Sequence, residues 1–221
     1  MDRTPEPNAI MDDDAQALAY ARADFADVNR RFVERFLEHF PDFTSGRVLD
    51  LGCGPADIPM RFCRELPGIT IVAVDASPAM LDLARADLEA AGLMGRVEPR
   101  LGFVDGSALP GAPFDAVASN SLLHHMDDPR VFWNAITANA RPDAPILVVD
   151  LFRPPSREDA RRIVDAASPN EPEILRRDFF HSLLAAYTRD EVRGQLQAAN
   201  LGHLSCEIVS DRHVAVWGRA R

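Results

Sequence analysis

The sequence predicts an α/β protein: a mostly parallel sheet with helices on both faces, plus helical lid elements. Three observations predict it. Between residues 48 and 151, five short apolar runs alternate with helical patterns, the rhythm of strand–helix–strand units. The first run ends in an acidic residue, two glycines at spacing two and a helix start, which is a strand feeding a tight turn. The chain has 221 residues, 47% hydrophobic and 26% charged, enough for one full core with an appended lid.

The elements follow in order. Residues 1–11 are acidic and Pro-containing, and are expected to be irregular or frayed. Over residues 14–40, Leu18, Phe25, Val28, Phe32, Phe36 and Phe40 recur at helical steps, and Pro41 ends the pattern. Strands are expected at 48–51, 71–75, 98–104, 114–119 and 145–151. Ser77-Pro78 opens a helix, Ser as cap and Pro at the first helical position. Residues 152–187 break the rhythm; Pro154, Pro155, Pro169 and Pro172 divide them into short helices that cap the pocket. Thr188-Arg189-Asp190-Glu191 is a capping box, opening a helix that runs to about Asn200, with Gly202 as its stop. Residues 204–210 and 213–218 read as a closing antiparallel hairpin. The domain organisation expected is an N-terminal helical lid over 1–45 and a ligand-binding domain over 46–221, with the cap inserted at about 152–187.

The glycine turn reads Asp50-Leu51-Gly52-Cys53-Gly54-Pro55-Ala56-Asp57. Glycines there let a ligand approach the backbone closely. A dinucleotide fingerprint would carry its last glycine at Asp57, where a carboxylate repels a pyrophosphate. Asp50 at the strand end adds to the repulsion. Acids at these points suit a cationic ligand, and S-adenosylmethionine has an ammonium and a sulfonium. Asp75 ends the second strand, 21 residues after Gly54, the spacing of a carboxylate that binds a ribose diol. That spacing alone does not separate a nicotinamide cofactor from S-adenosylmethionine.

With these residues in order, the segment over about 46–151 resembles the class I S-adenosylmethionine-dependent methyltransferases of the small-molecule type. Their first motif reads acidic-x-Gly-x-Gly-x-Gly, and Ala56 departs from its last glycine. The resemblance implies a Rossmann-like, seven-stranded sheet and S-adenosylmethionine as cofactor. It places the cofactor on Asp50, Gly52 and Gly54, then on Asp75, Ala76 and Met80 around ribose and adenine. Asp105, Gly106 and Ser107 would meet the adenine amino group. Asn120, in the run Asn120-Ser121-Leu122-Leu123-His124-His125, would line the methionine moiety and the methyl-transfer face.

His124 and His125 lie just past the fourth strand, at the sheet edge where ligands bind, as candidate bases or orienting groups. His181 and Tyr187 in the cap are further catalytic candidates. Tyr20 in the lid and Arg153 after the fifth strand are candidates for acceptor binding, Arg153 as a bidentate partner of an anion or as the salt-bridge partner of Asp150. Phe179 and Phe180 read as core of the cap. Asp211-Arg212-His213 fills the hairpin turn. No metal is expected, because the spacing of possible ligands shows no convergence.

Composition narrows the classes. Net charge is −10, which argues against nucleic acid as a partner. All 24 basic residues are Arg, so Schiff-base chemistry and a P-loop lysine are excluded. Three cysteines without a C-x-x-C pair fit a reducing cytoplasm, and no membrane span or leader is visible. The expected function is methyl transfer to a small-molecule acceptor by in-line displacement. A nicotinamide-dependent oxidoreductase and a non-catalytic S-adenosylmethionine-binding protein are the alternatives. Neither the acceptor atom nor the oligomeric state is legible.

Overall fold

The computed structural model describes residues 1–7 and 14–221. Of the irregular start expected over 1–11, residues 8–11 lie outside the described residues. Among the described residues the strands are β1 Ser45–Leu51, β2 Gly68–Asp75, β3 Val97–Leu101, β4 Ala116–Asn120, β5 Pro145–Leu151, β6 Ser205–Ile208 and β7 His213–Arg219. They form a seven-stranded sheet in the order β3-β2-β1-β4-β5-β7-β6. The first five strands run parallel, and β7 pairs antiparallel with β5 and β6.

Both faces of the sheet are covered, and the strand side chains divide between them with period two. Val48, Ile71, Ala73, Leu147 and Val149 enter one core, under α2 (Ala26–His39), α3 (Asp57–Glu65) and α4 (Pro78–Ala90). Leu49, Leu51, Val72, Ile146 and Val148 enter the other, under α5 (Pro129–Asn139) and α8 (Arg189–Ala198). This double burial is why the strands read as nearly continuous apolar runs. Phe36 packs edge-on against Phe62 at 5.0 Å between centroids, fastening α2 to α3.

Several elements differ from the sequence reading. The single helix expected over 14–40 is two, α1 (Asp14–Arg22) and α2. The break is made by Asp24, whose side chain accepts from the Ala26 N–H at 3.1 Å. The third strand stops at Leu101, and the Gly102 N–H makes the last ladder bond, to the Asp75 carbonyl at 3.0 Å. The capping box at Thr188 and Glu191 forms as expected. Its helix ends on Asn200 rather than Gly202: Asn200 takes the left-handed conformation, φ 58°, and the Leu201 N–H reaches the Leu196 carbonyl at 2.8 Å.

The cap folds as α6 (Arg157–Ala167) and α7 (Glu173–Ala185). Residues 1–7, expected to fray, lie along the cap instead. The Thr4 N–H donates to the Leu184 carbonyl at 3.0 Å, and the Arg3 guanidinium to the His124 and Met126 carbonyls at 2.9 and 3.0 Å. Among the described residues no helix is long and apolar enough to cross a membrane. The three cysteines are free.

Candidate active site

The strand order reverses between β1 and β4, so a crevice opens beyond their C-terminal ends. The glycine turn rims it. The Gly52 and Cys53 N–H groups donate to the Val74 carbonyl at 2.8 and 3.0 Å. The Gly54 N–H donates to Asp75 Oδ2 at 2.8 Å, and Asp75 Oδ1 accepts from the Ser77 N–H at 2.9 Å. Both glycines have positive φ, but their surroundings differ. A Cβ on Gly52 would meet Leu122 at 3.1 Å; one on Gly54 would meet nothing within 4 Å. Gly52 therefore packs closely on Leu122 as well as lining the cavity, and Gly54 leaves open space for a ligand. Ala56, where the methyltransferase motif has its last glycine, holds a left-handed φ of 64° at the cap of α3.

One cavity beyond this turn is lined by Gly52, Gly54, Asp75, Ala76, Met80 and Asn120, and also by Gly102, Phe103 and Val104. A neighbouring lobe is lined by Asp50, Asp57 and Asn29. Asp50 is buried, and desolvation, with Asp75 nearby, pushes its carboxyl up to about 7. The Asn120 Oδ1 is buried without a hydrogen-bond partner. Tyr20 stands over both lobes, and burial, reinforced by Asp75 and Asp150, pushes its hydroxyl up to about 12. These residues fit S-adenosylmethionine: two acceptors, Asp50 and Asn120, lack donors that an ammonium supplies, and Asp75 retains lone pairs for a diol.

The expected adenine contacts at Asp105, Gly106 and Ser107 are placed elsewhere. None of the three lines the cavities, and Asp105 is occupied by the N–H and hydroxyl of Ser107 at 2.9 and 2.6 Å. The chain leaves the sheet early, so Gly102–Val104 form that wall. Phe103, an exposed ring there, escaped the sequence reading.

The second cavity, about 170 Å³, lies between the α1–α2 junction, α7 and the turn Leu123–His125. His124, His125, Tyr20 and Asn120 line it, with Leu175, Phe179 and Ser182 from α7 and Arg212 and His213 from the hairpin. Asp150, the penultimate residue of β5, fixes the histidine turn. Its Oδ2 accepts from the Leu123 N–H at 2.6 Å, and its Oδ1 lies 2.6 Å from His124 Nδ1. Burial works to lower the His124 pKa, but the Asp150 and Glu6 carboxylates outweigh it and the net direction is up. Burial and the neighbouring His124 hold His125 down.

Glu6 completes this group. Its Oε2 is hydrogen-bonded to His125 Nδ1, and its Oε1 accepts from Ser182 Oγ at 2.5 Å and lies 3.9 Å from His124 Nε2. Burial pushes the Glu6 carboxyl up, yet the two histidines and Ser182 hold it down at about 2. The sequence reading missed Glu6. The one local signal was Pro5-Glu6-Pro7, in which prolines stiffen an extended segment around a single acid.

Three candidates are not brought to the cavities. His181 lies against Phe180 and lines none of them. The Tyr187 hydroxyl donates to the Met126 carbonyl at 2.6 Å, under the Arg3 guanidinium, and so braces the histidine turn from behind. Arg153 is buried and donates to Glu191 Oε1, the Ala186 carbonyl and the Met1 carbonyl at 2.7, 2.8 and 3.0 Å. Its salt-bridge partner is thus Glu191, not Asp150. Phe179 and Phe180 pack against the core of the cap, as expected; Phe179 also lines the cavity, and Phe180 lies under Arg157 and Arg161.

A sheet of this order, with Asp50 and Asp57 beside an open glycine turn, is the arrangement that the resemblance to class I S-adenosylmethionine-dependent methyltransferases implies. Comparison with known proteins agrees. Residues 48–143 match the family described as "Methyltransferase domain". The mitochondrial ubiquinone biosynthesis O-methyltransferase of Schizosaccharomyces pombe is 33% identical over 113 residues, 50% of this chain and 40% of that one. The release factor glutamine methyltransferase of Gloeobacter violaceus is 49% identical over 76 residues, 34% of this chain and 26% of that one. The chain thus matches less than half the length of either relative. A SAM-dependent methyltransferase of Aquifex aeolicus shares the fold with a TM-score of 0.66 at 17% identity, over 95% of this chain and 99% of that one. Residues 48–143 thus carry a methyltransferase domain, and the chain as a whole shares the fold of S-adenosylmethionine-dependent methyltransferases.

Proposed function

We propose that the chain transfers a methyl group to a small molecule seated in the cavity between α7 and the His124–His125 turn. The single observation that carries this reading is that the two cavities meet: Tyr20, Asn120, Ser121 and His125 line both. When bound, S-adenosylmethionine supplies an electrophilic methyl carbon on a sulfonium. Asp50, Gly54, Asp75 and Asn120 would hold the cofactor, with Met80 and Phe103 as apolar lining for its base. Ordering donor and acceptor in one closed space removes most of the cost of a bimolecular displacement. Phe179 and Leu175 give the acceptor an apolar wall, and His124, His125 and Ser182 orient its polar group.

Residues 1–7, the helices α1 and α2, and the cap at about 152–187 are the covers of this space. Their packing over the crevice supports a small acceptor over a polymer, as does the net charge of −10. The relatives bear names for both small-molecule and protein substrates, so the acceptor rests on the cavity. The test is S-adenosylhomocysteine release measured across a metabolite library, on wild type and Phe179→Ala. Turnover of a small molecule, with its KM raised several-fold by the substitution, is the expected result. Turnover only on protein or RNA would overturn the reading.

A further inference from the structure

We infer that Glu6, His124 and His125 hold a divalent first-row transition-metal ion at the polar end of the acceptor cavity. One ligand atom from each of the three lies within 4.8 Å of the others. Two ligands on one ion at ~2.1 Å sit at most ~4.2 Å apart, so small side-chain movements close the site. Two imidazoles and a carboxylate are a donor set for zinc, iron or cobalt, and unlike the all-oxygen sets of magnesium and calcium.

The surroundings are those of a metal site. Asp150 lies on Nδ1 of His124 at 2.6 Å, which leaves Nε2 directed at Glu6, 3.9 Å away. A carboxylate on the far nitrogen of a ligating histidine fixes its tautomer and raises its basicity. Ser182 Oγ donates to Glu6 Oε1 and so orients the carboxylate in the same way. Charge points in the same direction. Glu6 and Asp150 are two buried carboxylates, while the nearby Arg3 is engaged with Asp127 and with the His124 and Met126 carbonyls. With both imidazoles neutral, as ligation requires, an ion of charge +2 would balance them.

Three protein ligands leave a coordination position open. His124 and His125 line the acceptor cavity, so that position belongs to an acceptor oxygen. On the ion, such an oxygen loses its proton to water more readily and becomes the better nucleophile. This role rests on the methyl-transfer reading; the binding of the ion does not. The ion would also tie residue 6 to residues 124 and 125, securing the N-terminal segment across the site.

The test uses tag-free, chelator-treated protein. It is titrated with Co2+, followed by visible absorption, and with Zn2+ by calorimetry, with S-adenosylhomocysteine titrated in parallel. The expected result is one ion per chain, with d–d absorption bands of nitrogen-ligated cobalt. Affinity should fall at least tenfold in Glu6→Gln and in His125→Asn, and 10- to 100-fold in Asp150→Asn. His181→Ala, outside the cluster, should leave it unchanged. No stoichiometric binding, equal binding by Glu6→Gln, or a preference for Mg2+ would overturn the site. If S-adenosylhomocysteine still binds in that case, the metal proposal fails alone; if the metal binds and S-adenosylhomocysteine does not, the methyl-transfer reading fails alone.

Discussion

The Asp150 carboxylate, at the end of β5, lies 2.6 Å from Nδ1 of His124 on a separate turn, and both are buried. The same carboxylate takes the Leu123 N–H at 2.6 Å. One side chain therefore positions the whole histidine turn against the sheet. Asp150→Ala would remove the acceptor of three buried groups, His124 Nδ1 and the Leu123 and Leu151 N–H, at about 1–3 kcal/mol for each left unpaired. We expect Asp150→Ala to lose roughly 3 kcal/mol of unfolding free energy. Asp150→Asn, which keeps one acceptor oxygen, should lose less. Urea denaturation of the two variants checks the order; equal stability of Asp150→Ala and wild type would show that the turn is held by other contacts.

Cofactor binding should depend on pH through Asp50. Its carboxyl sits at about 7 in the free protein, so it is half protonated near neutrality. An ammonium pairs only with the charged form. Affinity for S-adenosylhomocysteine should rise from pH 6 to pH 8, by up to about tenfold per pH unit below 7. The sign for stability is the reverse. A carboxyl raised in the folded state holds more protons than the unfolded chain, so its contribution falls as pH rises from about 4 to 7. Asp50→Asn should flatten the binding profile. A flat profile in wild type would remove Asp50 from the ammonium site.

Asp75 has two tasks. Its oxygens hold the Gly54 and Ser77 N–H groups, and their remaining lone pairs face the cofactor cavity. Asp75→Ala should weaken S-adenosylhomocysteine binding by at least tenfold and lower the melting temperature as well, each lost charge-assisted bond being worth about 1.5–3 kcal/mol. Calorimetry and thermal melts on one preparation separate the two effects. Full affinity in a destabilised variant would leave Asp75 only its turn-holding role.

Ala56→Gly should be nearly neutral. Relief of the left-handed strain gains about 1–2 kcal/mol. Lost methyl burial and added chain entropy offset most of it, about 0.8 and 0.5–1 kcal/mol. Ala56 is fully buried behind the turn, so affinity for the cofactor should not change. A change beyond about 1 kcal/mol in urea denaturation would mean that the helix entry rearranges.

Much of the fold was legible because the physics that sets it is local. The residues of β5 read as 145–151 and form that strand, since a run buried on both faces is apolar at every position. The Ser77-Pro78 and Thr188 helix starts were legible because a cap is a contact within three residues. The break between α1 and α2 was not, since the apolar spacing continues through it and one Asp24 hydrogen bond decides. Asp105 stood in the right order along the chain, yet the strand had already ended at Leu101. Glu6 was the hardest to see. It meets His125 across 119 residues, and no periodicity reports a contact of that range. On α7 the spacing could not say which helix side meets the cavity, so Phe179 and Ser182 were passed over for His181.

The most direct test of the central claim is calorimetric titration of the purified chain at pH 8 with S-adenosylhomocysteine and, separately, with NAD. One S-adenosylhomocysteine should bind per chain, in the micromolar range or tighter, more weakly in Asp50→Asn and Asp75→Asn. NAD should give no saturable heat, because Asp50 and Asp57 lie where its pyrophosphate would have to sit. Saturable binding of NAD with none of S-adenosylhomocysteine would contradict the account.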